Sequence, residues 1–169
     1  MGEKIPPVVV QVKPEAKDIF AYKMYHSFWS FLGVVRILVS AAFLITAILS
    51  VGRFETMLTV VLFAFGLLNP VITPVLFWIQ ADSEAKRCIT TTFTFTSQKI
   101  IANDGKKKAE IHWDDLALTV WLKRELFLYT TPAQALILPK RQMKDEADVL
   151  LKMVKASATP NRIVIREWL

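Results

Sequence analysis

A chain of 169 residues has room for one modest domain plus a short additional element. It is 53% hydrophobic with a net charge of +6, a surplus too mild to indicate nucleic-acid binding, and its apolar residues are too unevenly spread for a simple soluble domain. A single cysteine, Cys88, excludes an intrachain disulfide and suits a reducing compartment.

Residues 1–25 carry Pro, Lys and acids throughout. No early apolar run ends in a small-residue cleavage site, so a signal peptide is not expected. Val8-Val9-Val10-Gln11-Val12 reads as a strand. Pro14 to Phe28 reads as an amphipathic helix with Ile19, Phe20 and Met24 on one side. The strand is expected to join a sheet built much later in the chain, and residues 1–29 to pack with the C-terminal domain.

Two apolar runs follow, and they set the class. Phe31 to Val51 is interrupted only by Arg36, and Thr56 to Ile79 carries no charge. Each is long enough to cross a hydrocarbon core of about 30 Å as a helix. The link Gly52-Arg53-Phe54-Glu55 allows only an antiparallel hairpin, so residues 30–80 read as a transmembrane hairpin with spans of about 31–51 and 56–79. Lys13, Lys17 and Lys23 precede it and Lys86 and Arg87 follow it, while Glu55 offsets Arg53 in the link. Positive flanks stay inside, so a multi-pass protein of the cell membrane with both termini cytoplasmic is expected. Trp29 and Trp78 stand at the two cytoplasmic ends, where aromatic side chains favour the interface.

Arg36 is the costly residue of the hairpin. Two readings stay open: the side chain snorkels to the headgroups, or it donates to the Pro70 carbonyl and the Asn69 side chain at matching depth. Pro70 and Pro74 each lack the N–H that a helix requires. Asn69, Pro70, Thr73 and Pro74 therefore mark a loosened stretch, read here as a structural kink and not as a transport pathway.

Beyond Ile79 the pattern changes. Gln80 to Arg87 is polar. Ile89 to Thr96 alternates as a strand with Phe93 and Phe95 on one face. Asn103-Asp104-Gly105 signals a hairpin, with Ala109 to Trp113 as the return strand. Asp114 and Asp115 read as a turn. Strands are expected over Leu116–Leu122, Leu126–Tyr129 and Ala133–Leu138. A helix follows, N-capped by Asp145, with Ala147, Leu150, Leu151 and Val154 as its apolar stripe. Ile163 to Ile165 is an extended tail without an assigned place.

Chemistry is sparse. The two histidines, His26 and His112, have no companions at metal-ligand spacing. There is no phosphate-binding loop, dinucleotide fingerprint or nucleophile elbow. No catalytic residue, metal or cofactor is expected. Trp113, Trp121, Phe127 and Tyr129 are expected in the core of the C-terminal domain.

The chain resembles a known family over nearly its whole length, from the N-terminal strand and helix through the two spans to the C-terminal domain, and most specifically in three segments. Ile111-His112-Trp113-Asp114-Asp115-Leu116, then Glu125-Leu126-Phe127-Leu128-Tyr129, then Gln134 to Leu138 running into Pro139-Lys140-Arg141 are similar to the YcxB-like family of small bacterial membrane proteins. Trp113, Asp114, Tyr129, Pro139, Lys140 and Arg141 are the motif positions. Gln142-Met143 departs from the aromatic usual after Lys-Arg. The resemblance implies an α+β membrane protein: residues 81–169 form a pleckstrin-homology-like cytoplasmic domain, a small bent antiparallel sheet capped by a C-terminal helix. By analogy with such domains, Lys106, Lys107, Lys108, Lys140 and Arg141 are candidate contacts for lipid or a partner; a solvated basic loop is the alternative. The expected role is a membrane-anchored interaction or regulatory module that binds a protein or lipid partner, with no enzymatic activity. An accessory or immunity protein against bacteriocin or envelope stress, and a non-catalytic transporter subunit, are the alternatives. Ala64 and Gly66 leave homo-oligomerisation open.

Overall fold

The computed structural model describes residues 6–53, 55–144 and 146–166, with Asn69 described in its backbone only. The class is α+β, with six helices and two four-stranded sheets among the described residues. Contacts divide the chain into two units, Met1–Asp18 with Arg87–Leu169, and Ile19–Lys86.

The first unit contains both sheets. Strands β1 (Val8–Val12), β2 (Thr91–Phe95), β3 (Lys99–Asn103) and β4 (Lys108–His112) lie side by side in that order, all antiparallel. Strand alternation puts Val8, Val10 and Val12 into the core and leaves Val9 57% exposed, with Val10 opposite Phe93. At the β3–β4 turn, Gly105 has φ +84° and its N–H donates to the Asn103 side chain at 2.9 Å.

The β4 strand stops one residue earlier than the alternation predicts. Trp113–Asp115 forms a 3₁₀ turn, and the Trp113 indole N–H donates to the Thr96 carbonyl at 2.8 Å. This turn separates the strand series into two sheets, where one bent antiparallel sheet was expected. The second sheet holds β5 (Leu118–Leu122), β6 (Glu125–Thr131), β7 (Gln134–Pro139) and β8 (Ile163–Arg166), in the order β7-β6-β5-β8. It is mixed, because the tail strand β8 runs parallel to β5. The helical crossover after β7 makes that direction available.

Two helices follow β7, the short α5 (Lys140–Met143) and α6 (Glu146–Ser157); these and the helices of the second unit are numbered in chain order. On α6, Leu150, Met153 and Val154 are fully buried and join Phe95, Ile100, Trp121, Leu126 and Leu128 in one core. The expected cap Asp145 and the terminal Trp168 and Leu169 lie outside the described residues.

The second unit is helical. Helix α1 (Ala16–Phe28) begins in the first unit and continues here, followed by α2 (Phe31–Ser50), α3 (Thr56–Leu67) and α4 (Thr73–Ala85). Ser30 caps α2 by accepting the Gly33 N–H at 3.1 Å. The α1–α2 corner requires glycine, because a Cβ on Gly33 would collide with the Ser27 carbonyl.

Helices α2 and α3 pack through small and polar residues. Ser40, Ala47 and Ser50 are buried along α2, while Gly33 is buried at the α1–α2 corner; the Ser50 and Thr59 hydroxyls are 2.9 Å apart, and Phe43 stacks on Phe65. The large apolar side chains point outward: Phe31 is 82% exposed and Leu38 64%. A water-soluble helix pair would show the reverse.

Helix α2 is long and apolar enough to cross a membrane by itself. The second run carries a break where a kink was expected within the span 56–79. It breaks at a π-helical turn, Leu68–Ile72, and Thr56–Leu67 passes the same test only together with Pro70–Ala85, bent by 43°. Missing N–H groups at Pro70 and Pro74 account for the break. Past the break, α4 continues to Ala85, where Lys23 of α1 meets Glu84 at 2.9 Å and Phe20 packs edge-on against Trp78.

Candidate functional site

The densest polar arrangement of the first unit lies where β7 passes through Pro139 into α5. There Arg141 grips the Asp18 carboxylate with both terminal nitrogens, at 2.5 and 2.8 Å, and reaches Glu15 at 3.0 Å. Asp18 has no exposed surface. It also accepts the Glu15 backbone N–H at 2.7 Å, closing the first turn of α1 as the acidic half of a capping box. The next residue, Gln142, accepts the Lys13 N–H at 2.8 Å and donates to the Lys13 carbonyl at 2.9 Å, so its amide acts as one more rung beyond β1. The Lys140 N–H donates to the Arg124 carbonyl at 2.8 Å, and the Lys140 ammonium lies 3.9 Å from the centre of the Trp121 ring.

These contacts set the local charge states. Hydrogen bonds to Asp18, ahead of those to Glu15, raise the Arg141 pKa and lock it in the charged form. Arg141, then Lys17, holds the Glu15 carboxyl below its ordinary value. Glu125, half-buried nearby, is pushed up, first by burial and then by the charge on Asp18.

The two expected basic contacts therefore differ in kind. Arg141 is held by acids of its own chain and Lys140 covers an aromatic ring. At the β3–β4 turn, by contrast, Lys106 and Lys107 are exposed, and among the described residues no ion pair holds them. Their backbone N–H groups donate to the Asp104 carboxylate at 2.8 and 2.6 Å, and those bonds hold its pKa down. Lys108 meets Glu110 at 3.2 Å, and Glu110 also meets Lys99 at 2.6 Å.

In the second unit Arg36 is exposed on α2. Among the described residues no hydrogen bond joins it to Pro70 or Thr73; the Thr73 hydroxyl donates to the Leu68 carbonyl at 3.4 Å, and Pro74 stands in the first turn of α4. The Asn69 side chain lies outside the described residues.

Of the motif positions, Trp113 and Tyr129 are each 3% exposed, and the Asp114 carbonyl accepts from Arg162 at 2.8 Å. Trp121 and Phe127 are also buried. Among the described residues no three His, Cys, Asp or Glu side chains converge as a metal site. Sequence reasoning missed Asp18 and Gln142. The Glu15–Asp18 spacing is a capping signal, but Arg141 lies 123 positions away and no local pattern announces that pairing.

A family model described as YcxB-like protein matches residues 95–153, from the end of β2 into α6. The segments that carry the sequence resemblance fall inside this match. No curated protein and no solved structure matches the chain.

Proposed function

We propose that this chain is a YcxB-like membrane protein whose helices α2 and α3–α4 anchor a cytoplasmic interaction module. The observation that carries the reading is the outward-facing apolar surface of the helix pair, with the small residues Ser40, Ala47 and Ser50 turned inward. Lipid is the solvent that such a pair requires. Twenty residues of α2 give a length of about 30 Å, matching a hydrocarbon core. The bent α3–α4 pair is read as the second span. Lysines at 13, 17, 23 and 86 with Arg87 favour cytoplasmic placement of both flanks.

The soluble unit is read as pleckstrin-homology-like. In support, one antiparallel four-stranded sheet is followed by a second sheet and an apolar helix, α6, over the shared core. Because β1 precedes the helices and β2 follows them, the anchor is an insertion between the first two strands. The module is proposed to recruit or regulate a partner at the membrane.

Cys88, the only cysteine, reports on this reading. It should resist an impermeant maleimide in intact cells, label after permeabilisation, and stay in the pellet after alkaline carbonate. Labelling from outside would sink the orientation, and release by carbonate would sink the anchor. A mild-detergent pull-down with mass spectrometry tests the recruiting role; failure to enrich any protein over an anchor-only control would remove its protein-binding form.

A further inference from the structure

Strand register sorts the turns of the first unit to two ends. Val12 pairs with Thr91, Thr92 with Asn103, and Asn103 with Lys108, so β1 leaves, β2 enters and the β3–β4 turn closes at one end of the sheet. Gln142 bonded to Lys13, and Lys140 bonded to Arg124, bring the β5–β6 turn to this same rim. Lys13, Lys106, Lys107, Lys123 and Arg124 all stand there, exposed, and no ion pair holds their side chains among the described residues.

The opposite end has a different composition. Its turns are Thr96-Ser97-Gln98, Trp113-Asp114-Asp115 and Thr131-Pro132-Ala133, without a single Lys or Arg. The cations nearest to it are engaged: Lys99 with Glu110, and Arg162 with the Asp114 and Leu116 carbonyls at 2.8 and 3.0 Å. Five exposed cations therefore stand at the rim where the chain leaves for the apolar helices at Lys13 and returns from them at Thr91, and none in the turns of the far end; Arg87, Lys144, Lys152 and Lys155 are also exposed, outside these turns.

We propose that this rim docks on anionic phospholipid of the membrane in which the helices are anchored. The inference rests on the anchored reading and names the surface that the module meets. An anchored chain holds the rim within reach of one leaflet at high effective concentration. Basic residues gain from an anionic leaflet only within about a Debye length, so docking requires this rim to face the leaflet. The neutral and acidic turns at the far end remain free for solvent or a partner.

The test uses the full chain in nanodiscs of phosphatidylcholine with or without phosphatidylglycerol. Hydrogen exchange is followed at the turns 104–107 and 123–124. Exchange should slow in the anionic discs, and the protection should vanish at high salt. Each cation removed should lower the docked-to-free ratio about fivefold, so Lys106→Gln with Lys107→Gln, and separately Lys123→Gln with Arg124→Gln, should each cut it about 25-fold. Equal exchange in both discs would overturn docking and leave the anchor standing. Release of the wild type by alkaline carbonate would overturn both. Protection that appears only on adding RNA or an acidic protein would assign the rim to that polyanion and overturn the lipid assignment.

Discussion

Replacing Arg141 by Ala perturbs the point where the two ends of the folded unit meet. Asp18 is fully buried and would keep only the Glu15 N–H as a partner. Removing one member of a buried ion pair costs about 3–5 kcal/mol, because the remaining charge stays desolvated. Water reaches Arg141, whose side chain is 35% exposed, so the loss should fall at the lower end, about 3 kcal/mol. Urea unfolding in mild detergent, followed by the fluorescence of Trp113 and Trp121, would measure it. The double variant Asp18→Asn with Arg141→Met should recover most of the loss, since no buried charge is left behind. A single variant within about 1 kcal/mol of wild type would refute the reasoning, because a desolvated, unpaired carboxylate costs more than that.

Three further outcomes are expected. Val10→Asp should destabilise the first unit by at least about 3 kcal/mol, since an unpaired carboxylate would face the core, whereas Val9→Asp should be near neutral on its exposed face; urea midpoints of the two separate them. Gly33→Ala forces a Cβ against the Ser27 carbonyl and should lower the melting temperature of the detergent-solubilised protein, at a cost of about 1–3 kcal/mol. The pH profile should show two opposing effects. Glu15, Asp104 and Glu110 have lowered pKa values, so their stabilisation is present above the unfolded values and is lost as pH falls through the folded ones. Glu125 has a raised value, so its contribution is present in acid and is lost as pH rises through its folded pKa. Glu125→Gln should therefore raise stability at neutral pH and change little in acid, and a variant less stable at neutral pH would contradict this sign.

Much of the architecture is local and was legible. Alternation at residues 8–12 and 91–95 marks strands because one face of each is buried and the other is not. Asp104-Gly105 marks a hairpin because a positive φ is needed there. The apolar stripe of 150, 151 and 154 marks α6 because its period matches a helix. Other features depend on partners that the local pattern does not name. The 3₁₀ turn at Trp113 rests on the Thr96 carbonyl, 17 residues back. Two sheets stand where the resemblance implied one bent sheet. The kink at 68–72 was legible in two prolines; its angle of 43° was not.

The candidate site divides in the same way. Lysines at 106 and 107 were visible as an exposed turn, because charge beside a glycine turn is a local signal. Arg141 looked equivalent in the sequence and is not, since a buried Asp18 claims it. By itself, then, the sequence determined where most strands and helices form, though not β3 or α5, and which surfaces are apolar, through periodicities set by backbone geometry. Only the tertiary structure decided which cations are neutralised and which stand free on one rim, because ion pairing and strand register depend on residues brought together across the whole chain.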